Sequence, residues 1–172
     1  MDIFAHGLWS VVVYSKVPPK NRYWAVFFGV APDLFSFGIF FVYRLWSGIL
    51  PIAKPELSSI PTYVNTLYNI SHSLVVWLIV VLLIYLWRKK IPWVLGAWAL
   101  HIVIDIFSHA QDFFPTPFLW PISDFKVDGY SWGHPLFMAI NYSALAIFYI
   151  VWLVVKRRRS AVKSVSHVVN KS

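Results

Sequence analysis

The sequence predicts an all-α, polytopic membrane protein: a helical bundle of about five apolar helices. Three observations lead there. Hydrophobic residues make up 59% of the 172-residue chain and charged residues only 13%, whereas a soluble domain is nearer half apolar and a quarter charged. The apolar residues gather into five runs long enough to read as helices. The basic residues collect at the ends of those runs rather than along them.

The runs follow in order. Ile3–Lys16 is short for a full crossing, which needs about 20 residues, and reads as a tilted or half-buried helix. Tyr23–Trp46 is long enough, and Pro32-Asp33 interrupts it. Leu67–Trp87 has a purely apolar core from Leu74 onward. Ile91–His109 carries polar residues on one face. Pro135–Val155 closes the apolar domain, residues 1–155. Residues 156–172 form a basic tail, expected to be disordered and cytoplasmic, in which His167 is expected to be solvated. The first run lacks the preceding basic residues and following small residues of a cleavable signal peptide.

Charge sets the orientation. Lys16, Lys20 and Arg22 separate the first two runs, and Arg88, Lys89 and Lys90 separate the third and fourth. Lys156, Arg157, Arg158, Arg159, Lys163 and Lys171 follow the fifth. If the chain alternates sides, all of these face one way, and the other face receives only Arg44, Lys54 and Lys126. Cytoplasmic loops carry the Lys/Arg excess, so the C-terminus is expected inside a plasma or inner membrane and the N-terminus outside. Topology thus accounts for the net charge of +8, and nucleic acid is not an expected partner. Membrane lipid is the expected environment. The loops Ser47–Thr66 and Ala110–Gly133 are expected on the outer side.

The most informative run is His101-Ile-Val-Ile-Asp105-Ile-Phe-Ser-His109. A step of four residues turns an α-helix through only about 40° beyond a full turn, so His101, Asp105 and His109 share one side. An aspartate at the centre of a membrane helix costs roughly 2.5–3.5 kcal/mol on insertion scales, and a bound cation would offset that. There are no cysteines, so thiolate sites and disulfides are excluded. A metal held by His and Asp is a hard or borderline ion such as Zn²⁺ or Mn²⁺. On the expected topology His6, Asp33, His72 and His134 also fall in the outer halves of their runs. Four histidines (His6, His72, His101, His109) and two aspartates exceed the needs of one tetrahedral ion. Two ions sharing a carboxylate would use them, with Asp105 or Asp33 as the bridge.

Plainer readings stand beside this one. His6 can be interfacial, and His72, between Ser71 and Ser73, can simply begin a helix. His134 before Pro135 can be a helix-entry residue. The His101–His109 set can be a hydrogen-bonded network or a proton relay. An ion transporter, or an adaptor acting through the basic tail, are the corresponding non-enzymatic functions.

The chain resembles a known family, the small inner-membrane metal-dependent hydrolases of the YdjM type, described as LexA-binding hydrolases. Five pieces carry the resemblance, within about Met1 to Phe137: Met1-Asp-Ile-Phe-Ala-His6-Gly, Gly29-Val-Ala-Pro-Asp33-Leu, Ser71-His72-Ser73, His101-Ile-Val-Ile-Asp105 with Ser108-His109, and Leu119-Trp120-Pro121-Ile-Ser-Asp124. That group is similar in turn to zinc-dependent phospholipase C and the S1/P1 nucleases. The resemblance implies a phospholipase C-like helical core and hydrolysis of phosphoester bonds in a lipid or lipid-like substrate. It implies one to three zinc-type ions, with His6, Asp33, His72, His101 and Asp105 as ligands. His109 and His134 would be further ligands or acid/base groups, and Asp124 an acidic site residue. Asp33 or Asp105 would also serve catalysis by orienting water.

Overall fold

A computed structural model describes residues 1–49 and 55–169, with side chains described through residue 158. Among the described residues six α-helices carry the fold: α1 Ile3–Val13, α2 Pro19–Trp46, α3 Thr62–Ser71, α4 Leu74–Arg88, α5 Gly96–Ser108 and α6 Pro135–Val169. Short 3₁₀ turns at Leu57–Ser59 and Trp93–Leu95 precede α3 and α5. No strand occurs among the described residues.

Local chemistry sets the ends of these helices. Asp2 caps α1 by accepting from Ala5 N at 3.0 Å, which satisfies one of the donors that a helix start leaves open. Pro19 opens α2 at a position where its missing N–H costs nothing. Arg22 donates to the carbonyls of Tyr14, Ser15 and Val17, closing the other end of α1. Beyond Val155, where the sequence suggests disorder, the backbone continues as helix through Val169. No Gly or Pro follows Pro135 in this run, so no breaker stops propagation. His167 lies outside the residues whose side chains are described.

The third apolar run is broken. Instead of one helix over Leu67–Trp87, α3 and α4 meet at His72-Ser73 with a bend of 57°. Ser73 Oγ accepts from Val75 N and Val76 N at 3.1 and 3.2 Å, so it caps a new helix. Leu74 N is turned outward to Phe118 O at 2.9 Å. Hydropathy cannot register this break, because the residues on both sides are apolar.

The expected five crossings narrow accordingly. Among the described residues, two helices are long and apolar enough to cross a membrane, Pro19–Trp46 and Pro135–Arg158, or three if the bent pair counts as one span. These mark the chain as membrane-associated. With 11 residues, α1 rises only about 16 Å, and α5, with 13, about 20 Å, short of a hydrocarbon core of about 30 Å. Exposed Ile140, Ile147, Ile150 and Val151 give α6 the apolar surface of a helix that faces lipid.

The buried interior has two parts. Phe37, Phe40, Ile60, Val64, Tyr68, Phe113 and Phe114 form an aromatic cluster joining α2, α3 and the loop after α5. Met1, Ala5 and Leu145 seat α1 against α6, where Trp9 Nε1 also donates to Asn141 Oδ1 at 2.9 Å. The loop from 109 to 134 turns back along the end of α5: Gly129 N, Tyr130 N and Trp132 N each donate at 2.9 Å to the carbonyls of His109, Phe107 and Ser108. Carbonyls that a helix end leaves open are thereby satisfied.

The α1–α2 contact depends on small residues, which let two backbones approach closely. Ala5 and Ala25 are fully buried. A Cβ on Gly29 would stand 2.0 Å from Ser10 Oγ and 3.0 Å from Ser10 Cβ. Gly29→Ala is therefore expected to lower stability by about 1–3 kcal/mol, as overpacking does. Thermal unfolding in detergent checks this, and wild-type stability in the variant would contradict so close an approach.

Candidate metal centre

Four separate parts of the chain deliver the polar residues to one place. α1 brings His6, α2 brings Asp33, the α3–α4 break brings His72, and α5 with its C-cap brings His101, Asp105 and His109. Asp105 is fully buried, and all four of these histidines are buried as well.

Asp33, His72, His101 and Asp105 each offer a ligand atom, all within 4.8 Å of one another. His72 Nε2 lies 3.1 Å from His101 Nε2. From Asp105 Oδ2, His101 Nε2 is 3.2 Å away and His72 Nε2 3.5 Å. From Asp33 Oδ1, His72 Nε2 is 3.5 Å away and His101 Nε2 3.8 Å. A tetrahedral ion with ligands at 2.0–2.2 Å has ligand–ligand edges of about 3.3–3.6 Å. The five separations straddle that value.

The far side of each imidazole explains why these nitrogens point inward. His101 Nδ1 is 2.7 Å from Gly29 O, an acceptor, so Nδ1 carries the proton and Nε2 presents a lone pair. His109 Nδ1 is held likewise by Phe114 O at 2.8 Å. His72 Nδ1 meets Ser71 Oγ at 2.9 Å, and that hydroxyl is committed as a donor to Tyr68 O. The inward nitrogens therefore face carboxylate oxygens lone pair to lone pair. Asp105 Oδ2 has no hydrogen-bond donor. Lone pairs converging at such short range form a group that could hold a cation. Two neutral imidazoles and two carboxylates sum to −2, of which the Met1 ammonium on Asp105 Oδ1 offsets one, so a net negative charge still favours a cation. The residues present fit such an ion, and its identity is left open by a set of N and O donors.

The other oxygen of Asp105 has its own surroundings. His6 Nε2 lies 2.9 Å from Oδ1, His109 Nε2 3.4 Å and Ser108 Oγ 3.3 Å. The Met1 amino group also contacts Oδ1 and stands 2.9 Å from His109 Nε2. Asp105 thus has histidines on both sides, as its place between His101 and His109 in the sequence suggests. Ring stacking stiffens the cluster, with His6 on His101 at 3.6 Å and Tyr68 on His72 at 3.8 Å.

Two sequence candidates stand elsewhere. Asp124 is exposed in the loop after α5. His134 is exposed at the start of α6, where its Nδ1 accepts from Leu136 N at 3.3 Å and its ring packs on Tyr130. This is the helix-entry role, since the first-turn N–H groups of α6, Leu136 N among them, have no acceptor within the helix. The sequence reading missed Met1, Tyr68, Ser108 and the carbonyls of Gly29 and Phe114. Tyr68 had a signal, four residues before His72. The carbonyls had none, since every residue carries one.

The chain matches no protein-family model, no curated protein and no solved structure in such comparisons. Its function is therefore argued from this geometry.

An ion that binds only the folded chain stabilises it by about 2.7 kcal/mol at a hundredfold excess over its dissociation constant. Chelation is thus expected to lower the thermal midpoint of the purified protein, and added Zn²⁺ or Mn²⁺ to restore it. Asp105→Asn is expected to lose both responses and most bound metal, measured by elemental analysis. A metal-free wild type indifferent to chelator would contradict the site.

Proposed function

We propose that this chain is an integral membrane, metal-dependent hydrolase that cleaves phosphoester bonds in a lipid or lipid-like substrate. The observation that carries the reading is the inward convergence of Asp33, His72, His101 and Asp105 at ligand spacing in a chain with membrane-length helices. A zinc-type ion held there supplies Lewis acidity, making water a nucleophile at neutral pH and drawing charge from a phosphoryl oxygen.

The chain's own residues have distinct tasks. Asp33 is the one member of the four whose side chain keeps some exposure, 14%, so substrate and water arrive on its side. It orients the attacking water and accepts its proton. His72 and His101, held by Ser71 and by the Gly29 carbonyl, keep their inward nitrogens fixed. Asp105 divides its oxygens between the His72–His101 side and the His6–His109 side. His6 and His109, beside the other Asp105 oxygen, would be the further donors if more than one ion were held. The reading assigns Asp124 and His134 no step. Apolar side chains at Leu34 and Phe35, both exposed next to Asp33, support an approach from lipid. The resemblance to the YdjM-type hydrolases and the phospholipase C group leads to the same class of reaction.

The basic residues support an orientation with the C-terminus in the cytoplasm, the N-terminus outside and the centre toward the outer side of a plasma or inner membrane. In this arrangement α2, the bent α3–α4 pair and α6 cross along their whole length; α1 and α5 span the depth between the cytoplasmic side and the centre, which opens outward, and the loop after α5 carries the chain the rest of the way to the outer start of α6.

In liposomes of phosphatidylglycerol and phosphatidylethanolamine, the reconstituted protein is expected to release phosphorylated headgroup in a metal-dependent way. Asp33→Asn should lower turnover by a factor of about 10²–10⁴, the usual contribution of a positioned base. Loss of no activity in that variant, or no release by the metal-loaded wild type, would overturn the reading. A reporter fused after the described residues of α6 should read cytoplasmic, and one at the N-terminus external; the reverse result would overturn the orientation.

A further inference from the structure

A second site lies at the other end of α1, away from the metal centre. A cavity of about 1200 Å³ opens where the end of α1 and the start of α2 meet α6. Asp33 is eleven residues further along α2 than Arg22, about 16 Å of helix rise.

Four basic side chains line this cavity: Lys16, Arg22, Lys156 and Arg158. No acidic side chain joins them among the described residues. Below them the walls are apolar, formed by Val12, Phe148 and Val151. Trp152 stands between the two zones. The Arg22 guanidinium lies over its ring at 5.4 Å and Lys156 Nζ at 5.6 Å. Arg22 is fixed in place by the Tyr14, Ser15 and Val17 carbonyls, so one cation of the set is preorganised. Both membrane-length helices end here, at the start of α2 and in the last membrane-length turns of α6. The cavity therefore sits at headgroup level, where a Trp between wet and apolar zones is expected.

We propose that this cavity binds a single acidic phospholipid, its phosphate among Lys16, Arg22, Lys156 and Arg158 and its upper acyl chain against the apolar wall. Charge complementarity selects an acidic lipid over a zwitterionic one. The apolar wall selects a lipid over free phosphate. The site needs no ion in the metal centre and holds whichever way the chain faces.

The test uses the full chain in a neutral detergent, titrated with phosphatidylglycerol, with phosphatidylcholine and with inorganic phosphate, reading thermal midpoint and retained lipid by native mass spectrometry. Phosphatidylglycerol is expected to raise the midpoint and remain bound one per chain; the other two are expected to do neither. One basic side chain near an anionic headgroup strengthens binding roughly fivefold. The variant K16Q/K156Q/R158Q should thus bind phosphatidylglycerol on the order of a hundredfold more weakly, while keeping the metal content of the wild type. K16Q and R158Q alone, at exposed side chains, should each lose about fivefold and guard against a triple variant that does not fold. Equal binding of phosphatidylcholine, equal effect of inorganic phosphate, or full affinity in the single variants would overturn the proposal. Retained metal with lost lipid, or the converse, separates this site from the hydrolase reading.

Discussion

A fully buried carboxylate, that of Asp105, is the constraint on which the rest of this structure depends. Taking such a charge out of water costs several kcal/mol after all relaxation. Here the compensation comes from the whole fold. His6 arrives from α1, His72 from the α3–α4 break, and His101 and His109 from one and the same turn-by-turn face of α5. The Met1 ammonium on Oδ1 offsets the charge directly, and the imidazoles surround it with nitrogen donors that could share a cation with it, so the helices converge on a common centre rather than merely packing side by side. In a membrane, where apolar packing between helices has little solvent drive, polar contacts of this kind carry more of the specificity.

The cluster is held from behind by backbone. Gly29 has two roles at once: its missing Cβ admits α1, and its carbonyl orients His101. Pro32 follows within a turn and cannot donate to Phe28 O, which loosens that turn of α2 beside the site. On the opposite side the loop after α5 brings Phe114 O to His109 and Tyr68, at 2.8 and 2.9 Å. The same loop binds the helix break through Phe118 O and, by way of Ser73 Oγ, through Trp120 O. The apparently irregular segment is thus a set of backbone acceptors that orients His109 directly and fixes the helix break that carries His72.

The two ends of the molecule have opposite chemistry. One gathers histidine and aspartate, with no Lys or Arg among the cluster's contacts. The other gathers Lys and Arg around Trp152 with no carboxylate lining the cavity. The separation keeps surface cations from competing for the two carboxylates. It also suits each end to a different class of ligand: the first could hold a cation, and the second has the charge for the acidic headgroup proposed above.

Much of this was legible in the residue order. Five apolar runs, the basic residues at their ends and the four-residue spacing of His101, Asp105 and His109 are local properties, and local periodicity fixes which side chains share a helix face. His6, Asp33 and His72 were legible as costly polar residues in apolar surroundings. What distance across the fold decides was hidden: that Ser73 starts a new helix, that α1 and α5 are too short to cross, that His134 and Asp124 stay at the surface, and that Met1 reaches Asp105. Depth along a helix can be counted from sequence. The direction a face takes relative to its neighbours depends on close approaches such as Gly29 on Ser10 and on carbonyls that every residue possesses, so only packing selects which of them become part of the site.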